Sequence, residues 1–241
     1  MKAFAKTDVG KMRENNQDFY YISQEGDPIQ LYIVADGMGG YNGGEVASSL
    51  ATNAAKGYIL SNFESICGEK EKILMLIKSA IEYANMVVLE KAKSEKELEG
   101  MGTTLDICLI YNNKIYIGHV GDSRIYRIRK EFIRRLTKDH SYVQQLVEDG
   151  KITKEEAVNH PKKNMITKAL GVSSYVEPDV FVKGYLKEDI VLMCTDGLTN
   201  VVNDQTIYEI ATKDTENAPQ AFIEEANKMG GPDNITVLVI K

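Results

Sequence analysis

Residues 104–122 read TLDICLIYNNKIYIGHVGD, and this stretch decides the fold of the chain. Two strand-like apolar runs, Thr104–Tyr111 and Lys114–Val120, are separated only by Asn112-Asn113. Because asparagine tolerates positive φ angles, this pair predicts a two-residue β-hairpin turn. The second run leads straight into Gly121-Asp122. The stretch therefore predicts antiparallel sheet with an aspartate at the end of a strand.

Further strand-like runs lie on both sides of this hairpin, and long helical patterns interrupt them. The runs are Phe4–Thr7, Phe19–Ser23, Gln30–Ala35, Arg124–Ile128, Phe132–Leu136, Val180–Tyr185, Asp189–Cys194 and Ile235–Ile240. Long helices are predicted from about Gly44 to Leu60 and from about Lys70 to Lys93, the second because its apolar residues recur at helical spacing. The sequence thus predicts an α+β fold, in which antiparallel sheets carry helices on the outside.

Capping residues predict shorter helices. Asn203 and Asn217 are placed to cap two helices near the C-terminus. The segment from about residue 139 to 171 reads as short helices and turns, with Asp139 as one N-cap and a capping box between Thr153 and Glu156. We interpret this segment as an insert over the sheet and call it the flap.

Composition and charge favour one soluble domain. The chain has 241 residues, a formal net charge of -6 and no block of basic residues, which fits a single domain over residues 1–241 and argues against nucleic acid or an anionic membrane as partner. Cys67, Cys108 and Cys194 lack C-x-x-C spacing, so free thiols in a reducing compartment are expected. No apolar leader is present and no apolar stretch approaches about 20 residues, so a cytoplasmic location is expected.

Aspartates stand next to several predicted strands. Asp36, Asp122 and Asp196 each follow a strand-like run, whereas Asp18 precedes one and Asp233 lies in a Gly-Gly-Pro-Asp-Asn turn. Carboxylates gathered in one cleft repel each other unless a cation lies among them. Each Asp-Gly pair taken alone is more typical of an ordinary turn, and the spacing of a calcium-binding loop is absent.

The glycine-rich segment at residues 37–44, GMGGYNGG, follows a strand and precedes a helix, as a dinucleotide-binding loop does. Its spacing differs, because Asn42 occupies the position of the third glycine. No lysine follows it, which excludes a triphosphate-binding loop. We therefore do not interpret this segment as a nucleotide site.

Short polar blocks follow one another along essentially the whole chain in a specific order. They are Arg13-Glu14-Asn15-Asn16-Gln17-Asp18, Asp36-Gly37-Met38-Gly39-Gly40, Gly102-Thr103-Thr104, Gly121-Asp122-Ser123-Arg124, Asp139-His140-Ser141, Thr195-Asp196-Gly197 and Gly231-Pro232-Asp233-Asn234. This order resembles the metal-dependent protein phosphatases of type 2C (PPM), in particular the bacterial serine/threonine phosphatases that consist of a catalytic domain only.

The resemblance implies a four-layer α-β-β-α sandwich and a centre that holds Mn²⁺ or Mg²⁺, hard cations that prefer oxygen ligands. Asp36 would bridge two ions, and the carbonyl of Gly37 would bind one of them. Asp196 and Asp233 would bind the other ion. Asp18 would hold metal-coordinated waters.

The resemblance also implies a third metal site at Asp122 with Asp196, phosphate binding by Arg13, and direct in-line attack by a water or hydroxide that the two ions share. Two positions depart from the family pattern. Met38 stands where eukaryotic relatives often carry a histidine proposed to protonate the leaving group, so the general acid is unassigned. Gln17 stands where an acid is common, so a charge contribution there is lost.

The histidines and Asn234 receive structural interpretations. His119 is expected to be a strand histidine near the metal edge, His140 to order a local turn and His160 to be a loop residue. Asn234 is expected to orient Asp233 through hydrogen bonds.

The implied substrates are proteins phosphorylated on serine or threonine, including a cognate bacterial kinase and its targets, and a monomer is expected. A phosphatase dedicated to one regulatory partner, a scaffold that has lost activity and a calcium-binding β-domain are the alternatives. A scaffold predicts lost metal ligands, whereas the five aspartates are all present. The calcium-binding alternative leaves Arg13 and the flap without a purpose.

Overall fold

The computed structural model describes residues 1–24, 26–27, 29–40, 43–66 and 68–241, so Asn42 and Cys67 lie outside the described residues. The strands are β1 (Ala3–Asp8), β2 (Asp18–Ile22), β3 (Gln30–Met38), β4 (Gly102–Thr103), β5 (Leu105–Tyr111), β6 (Lys114–Val120), β7 (Arg124–Arg129), β8 (Phe132–Arg135), β9 (Asp179–Gly184), β10 (Ile190–Cys194) and β11 (Ile235–Ile240). The α-helices are α1 (Gly43–Asn62), α2 (Lys70–Ser94), α3 (Tyr142–Glu148), α4 (Lys154–Val158), α5 (Asp196–Thr199), α6 (Asp204–Lys213) and α7 (Ala218–Lys228).

The described strands pair into two antiparallel sheets. One sheet has the order β1-β11-β10-β7-β8, and the other has the order β2-β3-β5-β6-β9 with β4 paired to the end of β3. The hairpin predicted at residues 104–122 is β5 and β6, which pair in the register Tyr111↔Lys114. Its turn residues Asn112 and Asn113 have φ angles of 47° and 57°. The prediction is confirmed, because asparagine accepts this left-handed conformation.

Alternation along β3 shows how the layers arise. Leu31, Ile33 and Ala35 pack with residues of α1 and α2. Tyr32 and Val34 point the other way, into an apolar layer between the two sheets. Successive side chains of a strand face opposite sides, so one strand serves two layers.

The other sheet repeats this arrangement. Leu192 and Val239 pack beneath Phe222 of α7 and Ile207 of α6, while Met193 and Leu238 face the layer between the sheets. The outcome is two antiparallel sheets flanked by helices, which confirms the predicted α+β class. No helix in the described part of the chain is both long and apolar enough to cross a membrane.

Two of the four capping predictions are confirmed. Asn203 Oδ1 accepts a hydrogen bond from the backbone N–H of Thr206 at 2.9 Å, and so caps α6. Thr153 and Glu156 form the predicted capping box at the start of α4. Both devices join residues three apart, so the sequence alone contains them.

Two other capping predictions are wrong. Asn217 occupies the N-cap of α7, but its side chain makes no cap bond and instead donates to Asp214 Oδ2 at 2.8 Å. Ser141, rather than Asp139, caps α3. Asp139 is engaged by Arg124, whose Nη2 lies 2.7 Å from Asp139 Oδ2. Because α3 begins only at Tyr142, Asp139 lies two residues before the N-cap position, and its carboxylate is left to pair with Arg124.

Candidate active site

Strand pairing brings the predicted acids to one edge of the sandwich. Asp18, the first residue of β2, pairs with Asp36 near the end of β3. Asp122 follows β6 in the same sheet. In the other sheet, Asp196 lies just beyond β10 and Asp233 just before β11, and these two strands are antiparallel neighbours. Residues from both sheets therefore meet at one end.

All of the predicted site residues except Asp18 line one cleft of about 240 Å³. The cleft is lined by Arg13, Gln17, Asp36, Gly37, Met38, Gly39, Thr104, Asp122, Asn164, Ile166, Asp196 and Asp233. Asp18 lies behind it, with Oδ2 accepting a hydrogen bond from Thr195 Oγ1 at 2.9 Å. Thr195 follows β10 of the other sheet, so this bond joins the two halves of the sandwich.

Burial and mutual repulsion raise the pKa values of these carboxyl groups. Burial is the largest cause, and it raises the pKa of Asp18 to about 7 and the pKa of Asp122 to about 8. The charges of neighbouring aspartates add to the rise, and hydrogen bonds offset part of it. The pKa of Asp196 rises to about 6 through burial and then through Asp233. Burial, followed by the charge of Asp18, holds the pKa of Asp36 well above its usual range. Without a cation these groups do not all ionise at neutral pH.

The donor set suits a hard divalent cation. It consists of carboxylate oxygens and backbone carbonyls, and Asp18 Oδ1 is buried without a hydrogen-bond partner. As the side chains stand, no group of three or more His, Cys, Asp or Glu residues within the described ranges is arranged to hold a metal ion. Asp233 Oδ2 instead accepts from Arg13 Nη2 at 2.9 Å. The residue chemistry fits metal binding, and ligation requires these side chains to rearrange.

The backbone of Asp36 is clamped by two adjacent threonines. Thr104 donates its N–H to Asp36 O at 2.9 Å, and the hydroxyl of Thr104 accepts from Asp36 N at 2.9 Å. Thr103 Oγ1 also donates to Asp36 O at 2.9 Å. The two threonines belong to the Gly102-Thr103-Thr104 block, for which the sequence predicted no role. The clamp fixes the position from which the Asp36 carboxylate enters the cleft.

The glycines after Asp36 and Asp196 are required by close approach of backbone. A Cβ at Gly37 would lie 2.0 Å from the carbonyl oxygen of Gly44, and one at Gly197 would lie 1.9 Å from that of Asn234. Real side chains do not tolerate such distances. The Asp-Gly pairs therefore do more than form turns, since the missing side chain lets a second segment pack against the acid.

Asn234 has a different task from the expected one. Its side chain donates to the carbonyls of Val9 and Asn15 at 2.9 Å each and accepts from Gln17 N at 2.8 Å. Only its backbone N–H contacts Asp233, with Oδ1 as acceptor at 2.9 Å. The Asn234 side chain thus holds the N-terminal loop that carries Arg13 rather than the carboxylate of its neighbour.

The described histidines are structural. His119 is a fully buried strand residue, with Nδ1 2.5 Å from Asp106 Oδ1 and Nε2 2.9 Å from Lys138 O. Its partner Asp106 was missed, because a single acid inside an apolar strand carries no sequence signal for a partner 13 residues away. His140 Nδ1 accepts from Gly121 N at 3.2 Å, so it holds the turn before Asp122, 19 residues away, rather than its own local turn.

His160 lies in the loop after α4, where its Nδ1 accepts from Lys162 N at 3.1 Å, as expected of a loop residue. Cys108 and Cys194 are buried free thiols. Burial raises the pKa of both thiols above the usual value, which leaves them protonated and unsuited to act as nucleophiles.

The flap borders the cleft. Residues of its helices α3 and α4 line a second cavity of about 590 Å³, together with Asp122 and Asp196. Asn164 and Ile166, which follow α4, line the cleft itself. These two flap residues were not among the predicted site residues, because nothing in their local sequence marks them as facing an acid cluster.

Comparison with known proteins identifies relatives across the whole chain. The family model described as protein phosphatase 2C matches residues 11–223. The serine/threonine phosphatase stp of Listeria innocua is 38% identical over 243 aligned residues, an alignment that covers 100% of this chain and 96% of that protein.

Solved structures agree in fold. The serine/threonine phosphatase PstP/Ppp of Mycobacterium tuberculosis superposes with a TM-score of 0.89 at 36% identity, covering 99% of this chain and 97% of the other. The catalytic domain of PstP in complex with two manganese ions superposes with a TM-score of 0.85 at 36% identity, covering 99% and 96%.

Proposed function

The chain belongs to the protein phosphatase 2C family, and from this premise we propose that it is a protein-serine/threonine phosphatase that uses divalent metal ions. The observation that carries the proposal is the gathering of Asp18, Asp36, Asp122, Asp196 and Asp233 at one end of both sheets. The raised pKa values of Asp18, Asp36, Asp122 and Asp196 mark a site that is short of positive charge.

The proposed metal ligands follow from this placement. Asp36 and the carbonyl of Gly37 would hold one ion. Asp36, Asp196 and Asp233 would hold the other, and Asp18 would act on it through water. Asp122 together with Asp196 would form the third site. Manganese is the metal that the PstP structure contains, which supports Mn²⁺ here, and Mg²⁺ would accept the same oxygen donors.

Bound divalent ions would supply Lewis acidity and bring the pKa of a water into the neutral range. The protein's own groups do the rest. Arg13 stands at the mouth of the cleft, and its guanidinium matches phosphate oxygens. No described cysteine is available as a nucleophile, which supports direct attack of water on phosphorus without a phosphoenzyme. The thioether of Met38 has no ionisable proton, so this side chain cannot act as the general acid.

A direct test measures hydrolysis of para-nitrophenyl phosphate with Mn²⁺, with chelator, and by Asp36→Asn with Mn²⁺. We expect the chelated enzyme to be inactive and Asp36→Asn to be at least about a hundredfold less active than the wild type, because an electrostatic group of the reaction centre is lost. Asp149→Asn, which alters an exposed aspartate paired with Lys151, is the matched control. An Asp36→Asn enzyme as active as the wild type contradicts the proposal.

Several finer proposals accompany this function. We propose that residues 1–241 act as one catalytic domain with the flap over its cleft. We also propose that the protein is a cytoplasmic monomer. Its proposed partner is a cognate serine/threonine kinase, whose action it would oppose. The similarity to bacterial serine/threonine phosphatases over their nearly full length supports the first of these. Size-exclusion chromatography with light scattering tests the monomer, and dephosphorylation of the kinase tests the partner.

A further inference from the structure

An apolar recess opens beside the catalytic cleft. None of the residues that line it has a role in the proposed reaction. It measures about 290 Å³, and Met38, Ile166, Ala169, Val172, Tyr175 and Val176 form its apolar walls. We refer to this surface as the apolar recess. Its residues come from the end of β3 and from the segment after α4, so the fold and not the sequence order assembles it.

The recess is continuous with the cleft. Met38 and Ile166 line both cavities, which makes these two side chains a shared wall. A Cβ placed on Gly102 would lie 2.7 Å from Met38 Cε and 3.1 Å from Val172 Cγ2, so the methionine tip and the valine reach the same spot. A group bound in the cleft and a group bound in the recess can therefore belong to one chain.

The apolar walls are open to solvent. Val172 is 60% exposed and Tyr175 is 59% exposed. Single exposed apolar residues are ordinary, but their concentration around a concave surface beside a reaction centre is typical of a binding site. Neither residue belongs to the hydrophobic core clusters, so replacing either one should leave the packing of the core unchanged.

The charged groups at the rim are engaged in hydrogen bonds with neighbouring neutral groups. Lys168 Nζ donates to Glu177 O at 3.1 Å and lies 3.5 Å from His140 Nε2. The Glu177 carboxylate accepts from Tyr175 OH at 2.7 Å. The apolar walls offer a charged side chain no compensation for the water it would lose there, whereas an apolar side chain would lose unfavourable contact with water.

We propose that the apolar recess binds a large apolar side chain of the protein substrate, close in sequence to the phosphorylated residue, and that Met38 serves there as a specificity-determining wall. This rests on the proposed phosphatase function. Because the two cavities share a wall, an extended substrate would reach from one to the other within about two or three residues at about 3.4 Å each. The enzyme would thus select phosphorylation sites with leucine, isoleucine, methionine or phenylalanine nearby.

The test compares phosphothreonine peptides that carry Leu, Ala or Asp at each of the three positions on either side of the phosphorylated residue. At one position we expect Leu to raise kcat/KM about tenfold over Ala, as a partly buried apolar side chain allows, with no gain from Asp. The variants Val172→Asp and Tyr175→Ser should abolish the gain. Their hydrolysis of para-nitrophenyl phosphate, which does not reach the recess, should be unchanged.

Leu186→Asp is the matched control, because Leu186 is an apolar residue that is 50% exposed and lines none of the cavities described above. The recess proposal is overturned if no position favours Leu, or if the gain survives in Val172→Asp and Tyr175→Ser, or if Leu186→Asp removes it equally. Failure of the wild type to hydrolyse para-nitrophenyl phosphate with Mn²⁺ overturns the proposed function and the recess proposal together.

Discussion

Arg13 lines the cleft, where its guanidinium can contact either Asp233 or a substrate phosphate. Its side chain is 51% exposed and Nη2 lies 2.9 Å from Asp233 Oδ2, whose side chain is 31% exposed. An ion pair this open to solvent contributes about 0–1 kcal/mol, so it exchanges easily. The pair therefore leaves Arg13 free to turn to a phosphate and Asp233 free to turn to a metal ion.

Arg13→Ala should raise KM for para-nitrophenyl phosphate about tenfold, because a hydrogen bond to a charged group contributes about 1.5 kcal/mol or more. The affinity for Mn²⁺ should stay within about twofold, since the pair with Asp233 is weak. Steady-state kinetics and calorimetric titration with Mn²⁺ measure the two quantities. Arg134→Ala, at an exposed arginine of β8, is the control. Lost Mn²⁺ binding or an unchanged KM would contradict the role given to Arg13.

Gly197 shows how single residues set the geometry of the acids. Its Cα lies so near the carbonyl of Asn234 that an added Cβ would come within 1.9 Å. The Asp196 and Asp233 segments can approach each other only because this side chain is missing. The contrast is Gly57 in α1, where a Cβ would meet nothing within 4 Å.

At the scale of elements, Asp189 fastens the connection between β9 and β10 to a third strand. It is fully buried and accepts hydrogen bonds from Arg129 of β7, with Nε at 2.6 Å and Nη2 at 2.7 Å. Its Oδ2 also accepts from Leu186 N at 2.8 Å. One carboxylate thus holds the turn and the neighbouring strand in register.

Asp189→Asn should lower the free energy of unfolding at pH 7, and the difference from the wild type should shrink in acid. Burial raises the pKa of Asp189, but the bonds from Arg129 and Leu186 outweigh it and hold the pKa below its usual value. A depressed pKa contributes stability above the unfolded value of about 3.9, and that stability is lost as the pH falls through the folded value.

Urea unfolding of both proteins at pH 7 and at pH 3 measures this difference. Asp149→Asn serves as the control, because its exposed partner Lys151 is screened by water. A gap between wild type and Asp189→Asn that stays as wide at pH 3 as at pH 7 would show that the ionised carboxylate is not what stabilises the turn.

At the scale of the whole molecule, the candidate metal centre lies across both sheets. Asp18 and Asp36 come from one sheet, and Asp196 and Asp233 lie at the ends of β10 and β11 in the other. Gathering these carboxylates at one place opposes folding whenever they are ionised without a cation. A cation that neutralises them therefore stabilises the packing of one sheet on the other.

Mn²⁺ should accordingly raise the thermal midpoint Tm. At a concentration a hundredfold above its Kd, binding stabilises by about 2.7 kcal/mol. For a chain of this size that corresponds to a rise in Tm of about 5–10 °C. Asp36→Asn should lose most of the rise, while Asp149→Asn should keep it. Scanning calorimetry with and without Mn²⁺ decides this, and an equal rise in Asp36→Asn would count against Asp36 as a shared ligand.

The sequence by itself determined several local structures and the membership of the site. The Asn112-Asn113 hairpin, the Asn203 cap and the capping box at Thr153 each depend on residues at most three apart, so composition and spacing contain them. The order of the aspartate blocks, with Arg13 ahead of them, predicted which residues now line or lie behind one cleft.

Only the tertiary structure decided the partners of these residues. Arg13 pairs with Asp233 across 220 positions, and Asn85 on α2 donates to the carbonyl of Ser173 across 88. The apolar recess likewise needs Met38 beside Val172. Such contacts form because sheet packing buries apolar surface and brings distant segments together, after which each polar group bonds whichever neighbour is within reach. Local sequence encodes strands and caps, but it does not encode which strands become neighbours.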